Sequence, residues 1–471
     1  MPSLSSVWLC YNLQVVSSKP TVTILGTGYV GLTTAALTAM AGMKTFVVDP
    51  NPSRLESVRA GKSFFYEEGL DPLVAKGVET GLIVPTASYE ESIPQSDIVI
   101  SSVGTPDNPD GSSNLSYVFA AATEAAKYLK PDAVYVQKST VPVGTGKKVK
   151  AVFASAEVSV AYVSNPEFLR EGTALADGLW FDRIVVGGDD TVALERVLDV
   201  YRQIEAHRDD IARLAGLTAP VNPQPGSYIT VGLESAELIK VTSNAFLSLK
   251  ISFANSIALL SDTVGADIVE VMDAVGADNR IGRAFLNAGR GYGGGCFPKD
   301  VSGLIAAGLE NGVNLEIMRA AQALNEDMPG YIIEKLQDAM DGSLEGKTVA
   351  VLGLSFKAGT SDARRSPGVK MANALVRAGA DVRTYDPKAN HEAAEKLDKG
   401  VVLADDMEQA LQGATAAIVA TGWPEFTSYT PEQYAEQLSG GVLVDAMNCL
   451  DMQAMSGAGL RYIGVGRSPK R

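Results

Sequence analysis

A run of glycines leads to a single cysteine near the middle of the chain. Cys296 follows three consecutive glycines, and Asp300 comes four residues later. Glycine lets the backbone turn tightly and approach a ligand closely, because no Cβ intervenes. If a helix begins just after Cys296, its dipole and free amides favour a thiolate, which is a nucleophile. The plain alternative is a buried structural cysteine, since free cysteines are often small core residues.

Two carboxylates close to a cation form a second candidate site. Glu167 and Glu171 lie four residues apart, on one side of a turn if this segment is helical. Paired carboxylates can divide acid and base roles when their surroundings differ. A solvated charged turn is the alternative.

A third cluster lies on a predicted helix. Glu237, Lys240 and Asn244 have the spacing i, i+3 and i+7, which places them on one face of an otherwise apolar helix. Polar groups in such a place need a polar ligand or each other. The structural alternative is a buried ion pair.

A glycine-rich turn follows the first apolar strand. Gly26, Gly28 and Gly31 have the spacing G-x-G-x-x-G, the turn opens a helix, and Asp49 ends the next strand. This context is typical of dinucleotide binding: the backbone approaches the pyrophosphate, and the acid accepts from the ribose hydroxyls. A carboxylate there repels a 2′-phosphate, which favours NAD over NADP. A glycine turn in an unrelated sheet is the alternative.

A threonine after a strand and two loops that contain cations are the remaining candidate ligand-binding residues. Thr140 follows an apolar strand, where doubly wound sheets bind ligands, although it also suits a capped β-turn. Cations in the loops 280–283 and 356–365 suit phosphate or carboxylate ligands, although each also suits a surface charge run.

Composition limits the functions to consider. The formal charge of −15 over 471 residues argues against broad binding to nucleic acid or anionic membranes. Three widely spaced cysteines and two histidines form neither a disulfide framework nor a metal pattern, so we expect no metal and a reducing compartment, the cytoplasm. No apolar stretch approaches 18 residues and the start lacks a basic n-region, so we expect no membrane span and no signal peptide.

Alternating strands and helices must position these residues. The pattern predicts an α/β protein with two Rossmann-like, doubly wound domains joined by a long central helix over 235–264. The expected units are an N-terminal extension (1–20), an NAD-binding domain (21–228), a central helical region with the cysteine loop (229–330) and a C-terminal Rossmann-like domain (331–471). A surface loop is predicted over 214–229 because it contains three prolines and two glycines.

Taken together and in order, the motifs resemble those of the nucleotide-sugar 6-dehydrogenase family, also called the UDP-glucose/GDP-mannose dehydrogenase family. The resemblance runs from about residue 21 to about residue 451. It is carried by Gly-Thr-Gly-Tyr-Val-Gly at 26–31, Lys-Ser-Thr-Val-Pro at 138–142, Asn-Pro-Glu-Phe-Leu-Arg-Glu-Gly at 165–172, Ala-Glu-Leu-Ile-Lys at 236–240, Ser-Asn-Ala-Phe-Leu at 243–247, Gly-Gly-Gly-Cys-Phe-Pro-Lys-Asp at 293–300 and Phe-Lys-x-x-Thr-x-Asp-x-Arg at 356–364.

The resemblance implies an NAD-dependent, four-electron oxidation of C6 of a nucleotide sugar, with UDP-glucose converted to UDP-glucuronate as the first expectation. Cys296 would hold the intermediate as a thiohemiacetal and then as a thioester. A UDP-N-acetylhexosamine or GDP-mannose is the nearest alternative substrate. A two-electron hydroxyacid dehydrogenase and a non-catalytic nucleotide-sugar binder are the remote alternatives.

The resemblance also implies residue roles. The catalytic group would comprise Cys296, Lys240, Asn244, Asp300, Glu167 and Thr140. NAD would be held by Gly26, Gly28, Tyr29, Val30, Gly31, Asp49, Arg54, Thr105, Pro106, Glu171, Lys299 and Arg364. The nucleotide sugar would be held by Phe168, Leu169, Arg170, Arg280, Phe285, Asn287, Gly291, Tyr292, Gly293, Phe356 and Lys357.

The family resemblance further implies a homodimer across the central helix, with Arg280 reaching a neighbouring subunit's site. Two departures stand out. The family usually carries an arginine shortly after the aspartate of the final strand, where this chain has Met447 and Asn448. The stretch 206–227 is also longer than usual.

Overall fold

Two twisted sheets and the helices between them make up the computed structural model, which describes residues 19–221 and 223–467. The first sheet contains β1 (Val22–Leu25), β2 (Thr45–Val48), β3 (Ile83–Thr86), β4 (Ile98–Ser101), β5 (Val134–Gln137), β6 (Ala161–Ser164), β7 (Arg183–Gly187) and β8 (Ser227–Val231). The second contains β9 (Thr348–Leu352), β10 (Asp381–Tyr385), β11 (Val401–Leu403), β12 (Ala416–Val419), β13 (Val442–Asp445) and β14 (Arg461–Gly464).

Helices cover the sheets and fill the space between them. They are α1 (Tyr29–Met40), α2 (Pro52–Arg59), α3 (Leu70–Glu79), α4 (Tyr89–Ser92), α5 (Ser116–Ala126), α6 (Thr145–Ser155), α7 (Ala174–Leu179), α8 (Thr191–Ala206), α9 (Arg208–Ala215), α10 (Leu233–Val264), α11 (Ile268–Gly276), α12 (Phe297–Glu310), α13 (Glu316–Ala339), α14 (Pro367–Arg377), α15 (Asn390–Ala394), α16 (Met407–Leu411), α17 (Pro424–Thr427), α18 (Pro431–Gln437) and α19 (Met452–Gly457).

The strand order of each sheet reverses at one point. It is β3-β2-β1-β4-β5-β6-β7-β8 in the first sheet and β11-β10-β9-β12-β13-β14 in the second. The gaps between β1 and β4 and between β9 and β12 are therefore the crevices where doubly wound sheets bind ligands. Their central strands are short buried apolar runs, as expected when helices cover both faces. The predicted fold class is confirmed.

Two details of the prediction are wrong. The first sheet is not wholly parallel, because β6 and β7 pair antiparallel at Ser164 and Gly187. The predicted loop 214–229 is also too long: α9 ends within it, and its last residues begin β8, which pairs with β7. An edge strand needs only one neighbour, so the prolines before it do not prevent pairing.

The long stretch 206–227 has a structural role in its first half. Helix α9 buries Ile211, Ala212 and Ala215 in the core of the first sheet, and Gly69 packs against Ala215. This part of the insertion therefore buttresses α3 and the first sheet.

The predicted central helix is confirmed. Helix α10 runs unbroken over 32 residues and ends at Gly265, whose φ of 76° is the left-handed conformation of a C-cap. It packs against both α12 and α13. One face of α10 therefore lies between the two sheets, and the residues on that face are buried.

No helix in the described part of the chain is long and apolar enough to cross a membrane. The predicted N-terminal extension (1–20) lies almost entirely outside the described residues.

Replacing Gly31 tests the tight turn between β1 and α1. A Cβ at Gly31 would lie 1.9 Å from the carbonyl oxygen of Gly26, so Gly31→Ala must displace the backbone. We expect it to lower the free energy of unfolding of the ligand-free protein by about 1–3 kcal/mol, the usual cost of overpacking. Gly28→Ala is the matched control, because a Cβ there meets nothing within 4 Å. Equal thermal stability of the two variants would contradict this account of the turn.

Candidate active site

The predicted cysteine lies at the start of a helix, as the sequence suggests. Cys296 is the N-cap residue of α12, and its carbonyl oxygen accepts the first helical hydrogen bond from the amide of Asp300 at 2.8 Å. The glycines before it allow the segments to pack closely. A Cβ on Gly293 would lie 2.4 Å from the Arg365 carbonyl oxygen, and one on Gly294 would lie 2.9 Å from the ring of Phe356. The loop after β9 thus lies directly against the cysteine loop.

The acid four residues after the cysteine is buried and fully engaged. One oxygen of Asp300 accepts from the amide of Asn244 at 2.6 Å, and the other pairs with Lys299 at 2.8 Å. Lys299 also lies 3.5 Å from the hydroxyl of Thr105. Helices α10 and α12 and the loop after β4 therefore meet at one carboxylate.

A buried ion pair joins α10 to the loop after β6. The ammonium of Lys240 lies 3.1 Å from Glu167 Oε1, and both side chains are less than a tenth exposed. The other oxygen of Glu167 accepts from the amide of Leu169 at 2.6 Å. The ring of Phe168 lies between two cations, 5.5 Å from Lys240 Nζ and 3.9 Å from the guanidinium carbon of Arg183.

The shared face of Glu237, Lys240 and Asn244 is confirmed, but each residue has a different partner. Glu237 accepts from the amides of Gly144 and Gly146 and so fixes the start of α6. The predicted alternative of a buried ion pair is confirmed for Lys240, whose partner is Glu167 on another element. Only the last two of the three residues face the cysteine loop.

The segment with Glu167 and Glu171 is not helical, so these carboxylates do not share a helical turn. Glu171 instead pairs with Arg364 at 3.0 Å, and Arg364 also pairs with Asp362. Burial and the neighbouring charge of Asp362 raise the pKa of Glu171 to about 8. Together with an ion pair between Arg365 and Asp107, this contact ties the loop after β9 to the first sheet.

Electrostatics around the thiol differ from the expected thiolate environment. Burial, followed by the charges of Glu167 and Asp300, raises the pKa of Cys296 to about 12, although Lys240 opposes this. Burial disfavours the charge of Lys240 as well, but Glu167 and Asp300 more than compensate and raise its pKa. The site therefore holds a protonated thiol beside an ammonium group, because burial and the carboxylates outweigh the effect of Lys240 on the thiol.

Thr140 lies beside the same carboxylate cluster. It lines a small cavity of about 10 Å³ together with Asp300 and apolar residues of α10 and α12. That volume suffices for roughly one water molecule.

The predicted dinucleotide turn has the expected geometry. Gly28 is the N-cap of α1 and no side chain caps this helix, so its first amides remain for an anion. Asp49 accepts from the amide and hydroxyl of Thr27, and Arg54 lies 3.6 Å from the same carboxylate. The open position beside Gly28 and the acid at the end of β2 fit NAD.

Of the other predicted NAD contacts, Val30 lies in the first turn of α1, and Pro106 follows β4 in the loop that also holds Thr105.

Tyr29 joins the dinucleotide turn to the loop after β6 together with Glu67, a residue that was not predicted from the sequence. Its hydroxyl bonds to Glu67 and to the amide of Gly172, and Glu67 also accepts from the amide of Leu175 at 3.1 Å. Burial raises the pKa of Glu67 to about 7. The only signal for Glu67 in the sequence is an acid in an aromatic-rich stretch.

The predicted sugar-nucleotide residues fall into two groups. Gly291 and Tyr292 lie against Asn325, whose side-chain oxygen accepts from the Tyr292 amide at 2.7 Å. The ring centroids of Phe285 and Phe297 are 6.2 Å apart. Burial and the charge of Arg170 lower the pKa of Lys357. These residues lie on or beside the cysteine loop.

Three predicted substrate residues make other contacts within this chain. Arg170 pairs with Asp177, Arg280 pairs with Asp278 on the surface, and Asn287 accepts from Arg283. None of these three bonds to the residues around Cys296.

A second residue missed by the sequence reasoning is Arg290, which is 1% exposed and lies beside Met447. In the sequence it is one arginine among glycines, and nothing in that pattern distinguishes a buried guanidinium from an exposed one.

Comparisons with known proteins agree with these observations. Three models of the UDP-glucose/GDP-mannose dehydrogenase family match in order: the NAD binding domain at 20–205, the central domain at 234–327 and the UDP binding domain at 350–452. The chain is 38% identical over 453 residues to UDP-glucose 6-dehydrogenase TuaD of Bacillus subtilis, covering 96% of this chain and 94% of the relative. It is 38% identical over 451 residues to a UDP-glucose 6-dehydrogenase of Rhizobium meliloti, covering 95% and 99%.

A solved structure is similar over nearly the whole chain. It is that of a UDP-glucose dehydrogenase from the archaeon Pyrobaculum islandicum, with a TM-score of 0.86 and 36% identity, covering 96% of this chain and 99% of that one.

The raised pKa of Cys296 can be tested by alkylation. In the ligand-free protein we expect the rate of iodoacetamide modification at Cys296, followed by peptide mass, to keep rising about tenfold per pH unit up to about pH 10. Glutathione, an ordinary thiol, is the control and should level off near its own pKa. A plateau of the Cys296 rate at pH 7–8 would show a stabilised thiolate and contradict the burial argument.

Proposed function

The chain belongs to the UDP-glucose/GDP-mannose dehydrogenase family, and we propose that it oxidises C6 of UDP-glucose to give UDP-glucuronate with reduction of two NAD. The observation that carries this proposal is the position of Cys296 among Lys240, Glu167, Asn244 and Asp300, between an NAD-binding sheet and a second doubly wound sheet.

The first oxidation needs a base for the alcohol proton and donors for the oxygen on C6. NAD, when bound, accepts the hydride from that carbon. Lys240, kept protonated by its carboxylate neighbours, and Asn244 donate to the oxygen as charge develops on it. Asp300, already in contact with Asn244, takes the proton.

The second oxidation needs a carbon that can lose a hydride. An aldehyde does so only after a nucleophile adds to it, and Cys296 supplies the nucleophile. Because the resting thiol is protonated, Sγ attacks as its proton moves to a neighbouring carboxylate. The thiohemiacetal then loses a hydride, which a second NAD would accept, and gives its hydroxyl proton to a neighbouring carboxylate. The resulting thioester is still bonded to Sγ, so the intermediate never leaves the site.

Hydrolysis of the thioester regenerates the thiol. We assign the removal of the water proton to Glu167, a buried carboxylate whose bonds to Lys240 and to the amide of Leu169 fix its side chain. Thr140 holds the water from the side of the small cavity. Water adds to the carbonyl carbon, the bond from carbon to sulfur breaks, and the proton returns to Sγ.

We propose UDP-glucose as the nucleotide sugar that the protein oxidises. UDP-glucose is favoured because the relatives at 38% identity are UDP-glucose 6-dehydrogenases. A UDP-N-acetylhexosamine or GDP-mannose stays the alternative, because Met447 replaces an expected arginine. We also propose that the protein works in the cytoplasm, since Cys296 and Cys449 are both free thiols.

Counting NADH against sugar tests the covalent mechanism. With UDP-glucose the wild-type protein should release two NADH per UDP-glucuronate, whereas Cys296→Ser should lose steady-state turnover by at least about 100-fold and stop at the aldehyde level. Cys449→Ser, the other free thiol of the described residues, is the matched control and should behave as wild type. A ratio of one NADH per product, or full activity of Cys296→Ser, would overturn the four-electron mechanism.

We propose in addition that the protein works as a homodimer through one face of α10. Phe246, Phe253 and Leu260 repeat every seven residues on this helix and are 58%, 49% and 57% exposed. Such an apolar stripe on a monomer is typical of an interface with a second copy.

The predicted role of Arg280 fits this surface. Lys250, between two residues of the stripe, donates to the carbonyls of Ile281 and Gly282 and so holds the loop with Arg280 beside it. From this edge Arg280 can extend into the site of the second copy by exchanging Asp278 for a phosphate.

A charge in the stripe tests the dimer. Phe253→Asp should shift the sedimenting species from dimer to monomer at micromolar concentration, because a carboxylate cannot be buried without a partner. Val402→Asp is the matched control, since Val402 is 58% exposed on the far edge of the second sheet. A wild-type protein that sediments as a monomer would refute the proposal.

A further inference from the structure

The buried guanidinium of Arg290 forms no ion pair within the described residues. We propose that Arg290 binds the diphosphate of the nucleotide sugar. The inference rests on the proposed function, and it concerns a residue that neither the family motifs nor the sequence reasoning assigns.

Arg290 is buried without a carboxylate bonded to its guanidinium. Arg290 is the largest of the fully buried side chains, yet its bonds within the described residues go to two carbonyl oxygens and one sulfur, and none goes to a carboxylate. A buried charge of this kind is costly unless an anion pairs with it. Desolvation lowers the pKa of Arg290 to about 10, although the charge of Asp386 opposes this, so the group stays cationic at neutral pH. Asp386 does not bond to Arg290, because its carboxylate accepts from Leu354, Ser355 and Trp423.

The guanidinium of Arg290 has a donor nitrogen for which the described residues supply no acceptor. A guanidinium carries five N–H donors in a fixed fork. Nη2 donates to the Phe356 carbonyl at 2.7 Å and lies 3.4 Å from that of Ser355, and Nε lies 3.2 Å from the sulfur of Met447. Nη1 is buried and has no partner. A phosphate oxygen is the acceptor that a free guanidinium nitrogen suits best.

Arg290 lies at the carboxyl edge of the second sheet. The Arg290 amide donates to the carbonyl of Ala446, just after β13, while its side chain reaches the residues just after β9. The strand order reverses between β9 and β12, so this carboxyl edge is the expected ligand crevice. The central region thus inserts a cation into the crevice of the UDP binding domain.

Met447 controls access to this cation. Its side chain is half-buried and its thioether contacts Nε, which is a weak interaction for a donor of this strength. Methionine has several low-energy rotamers, so a diphosphate can displace it and reach the guanidinium. Lys357, next to Phe356, is a second cation in the loop after β9.

Binding of UDP and of uridine, measured by titration calorimetry on the full chain, tests the assignment. Arg290→Gln removes the charge but keeps an amide that can donate to the Phe356 carbonyl. We expect it to weaken UDP binding by about 10- to 100-fold while uridine binding is unchanged, since only UDP carries the phosphates. Arg290→Lys should recover part of the loss. Arg377→Gln changes an exposed arginine of the second sheet's domain, so it is the matched control and should bind UDP as wild type does.

Kinetics give a second readout. Arg290→Gln should raise KM for UDP-glucose and leave KM for NAD unchanged. If Arg290→Gln lost UDP binding and uridine binding equally, Arg290 would only support the loop. If Arg290→Gln bound UDP with wild-type affinity, Arg290 would not contact the diphosphate. Either result overturns the assignment. If the wild-type protein neither binds UDP nor oxidises UDP-glucose, the proposed function fails and the assignment falls with it.

A crystal structure of the wild-type protein with UDP decides the matter even if the Arg290 variants fail to fold. A guanidinium nitrogen at about 3 Å from a phosphate oxygen supports the assignment, and phosphates bound away from Arg290 overturn it.

Discussion

The burial of opposite charges between the two sheets is the constraint on which the rest of the structure depends. Lys240 comes from α10, Glu167 from the loop after β6 and Asp300 from α12, and all three are buried. Removing one partner of such a group leaves an uncompensated charge, which is strongly destabilising. The long helix, the cysteine loop and the first sheet must therefore be assembled together, and the reacting atoms are placed by that requirement.

Most of the fold could be predicted from the sequence because its signals are local. The strands β1, β7 and β9 are short apolar runs in the sequence, and α10 carries neither proline nor glycine to interrupt it. The antiparallel pairing of β7 and the edge strand β8 could not be predicted in this way. Pairing direction depends on the path of the connection, and an exposed strand such as β8 lacks the continuous apolar run of a central one.

The site was predictable as a set of residues but not as a set of pairs. Spacing placed Lys240 and Asn244 on one face, yet it could not show that their partners are Glu167 and Asp300, which are far apart in the chain. Arg290 and Glu67 were missed for the same reason, since burial is a property of the folded chain. The protonation state of the Cys296 thiol could not be predicted either. It depends on burial and on whether the nearby carboxylates or the ammonium of Lys240 have the larger effect on the pKa of the thiol.

The protonated resting state of Cys296 bears on how the protein tolerates oxidants. Peroxide reacts with thiolates far faster than with thiols, and the first product, a sulfenic acid, leads on to forms that cells reverse only in special cases. A thiol that gives up its proton only as it attacks a bound aldehyde is poorly reactive whenever the site is empty. The burial and the carboxylates that raise its pKa therefore also shield it from damage between turnovers.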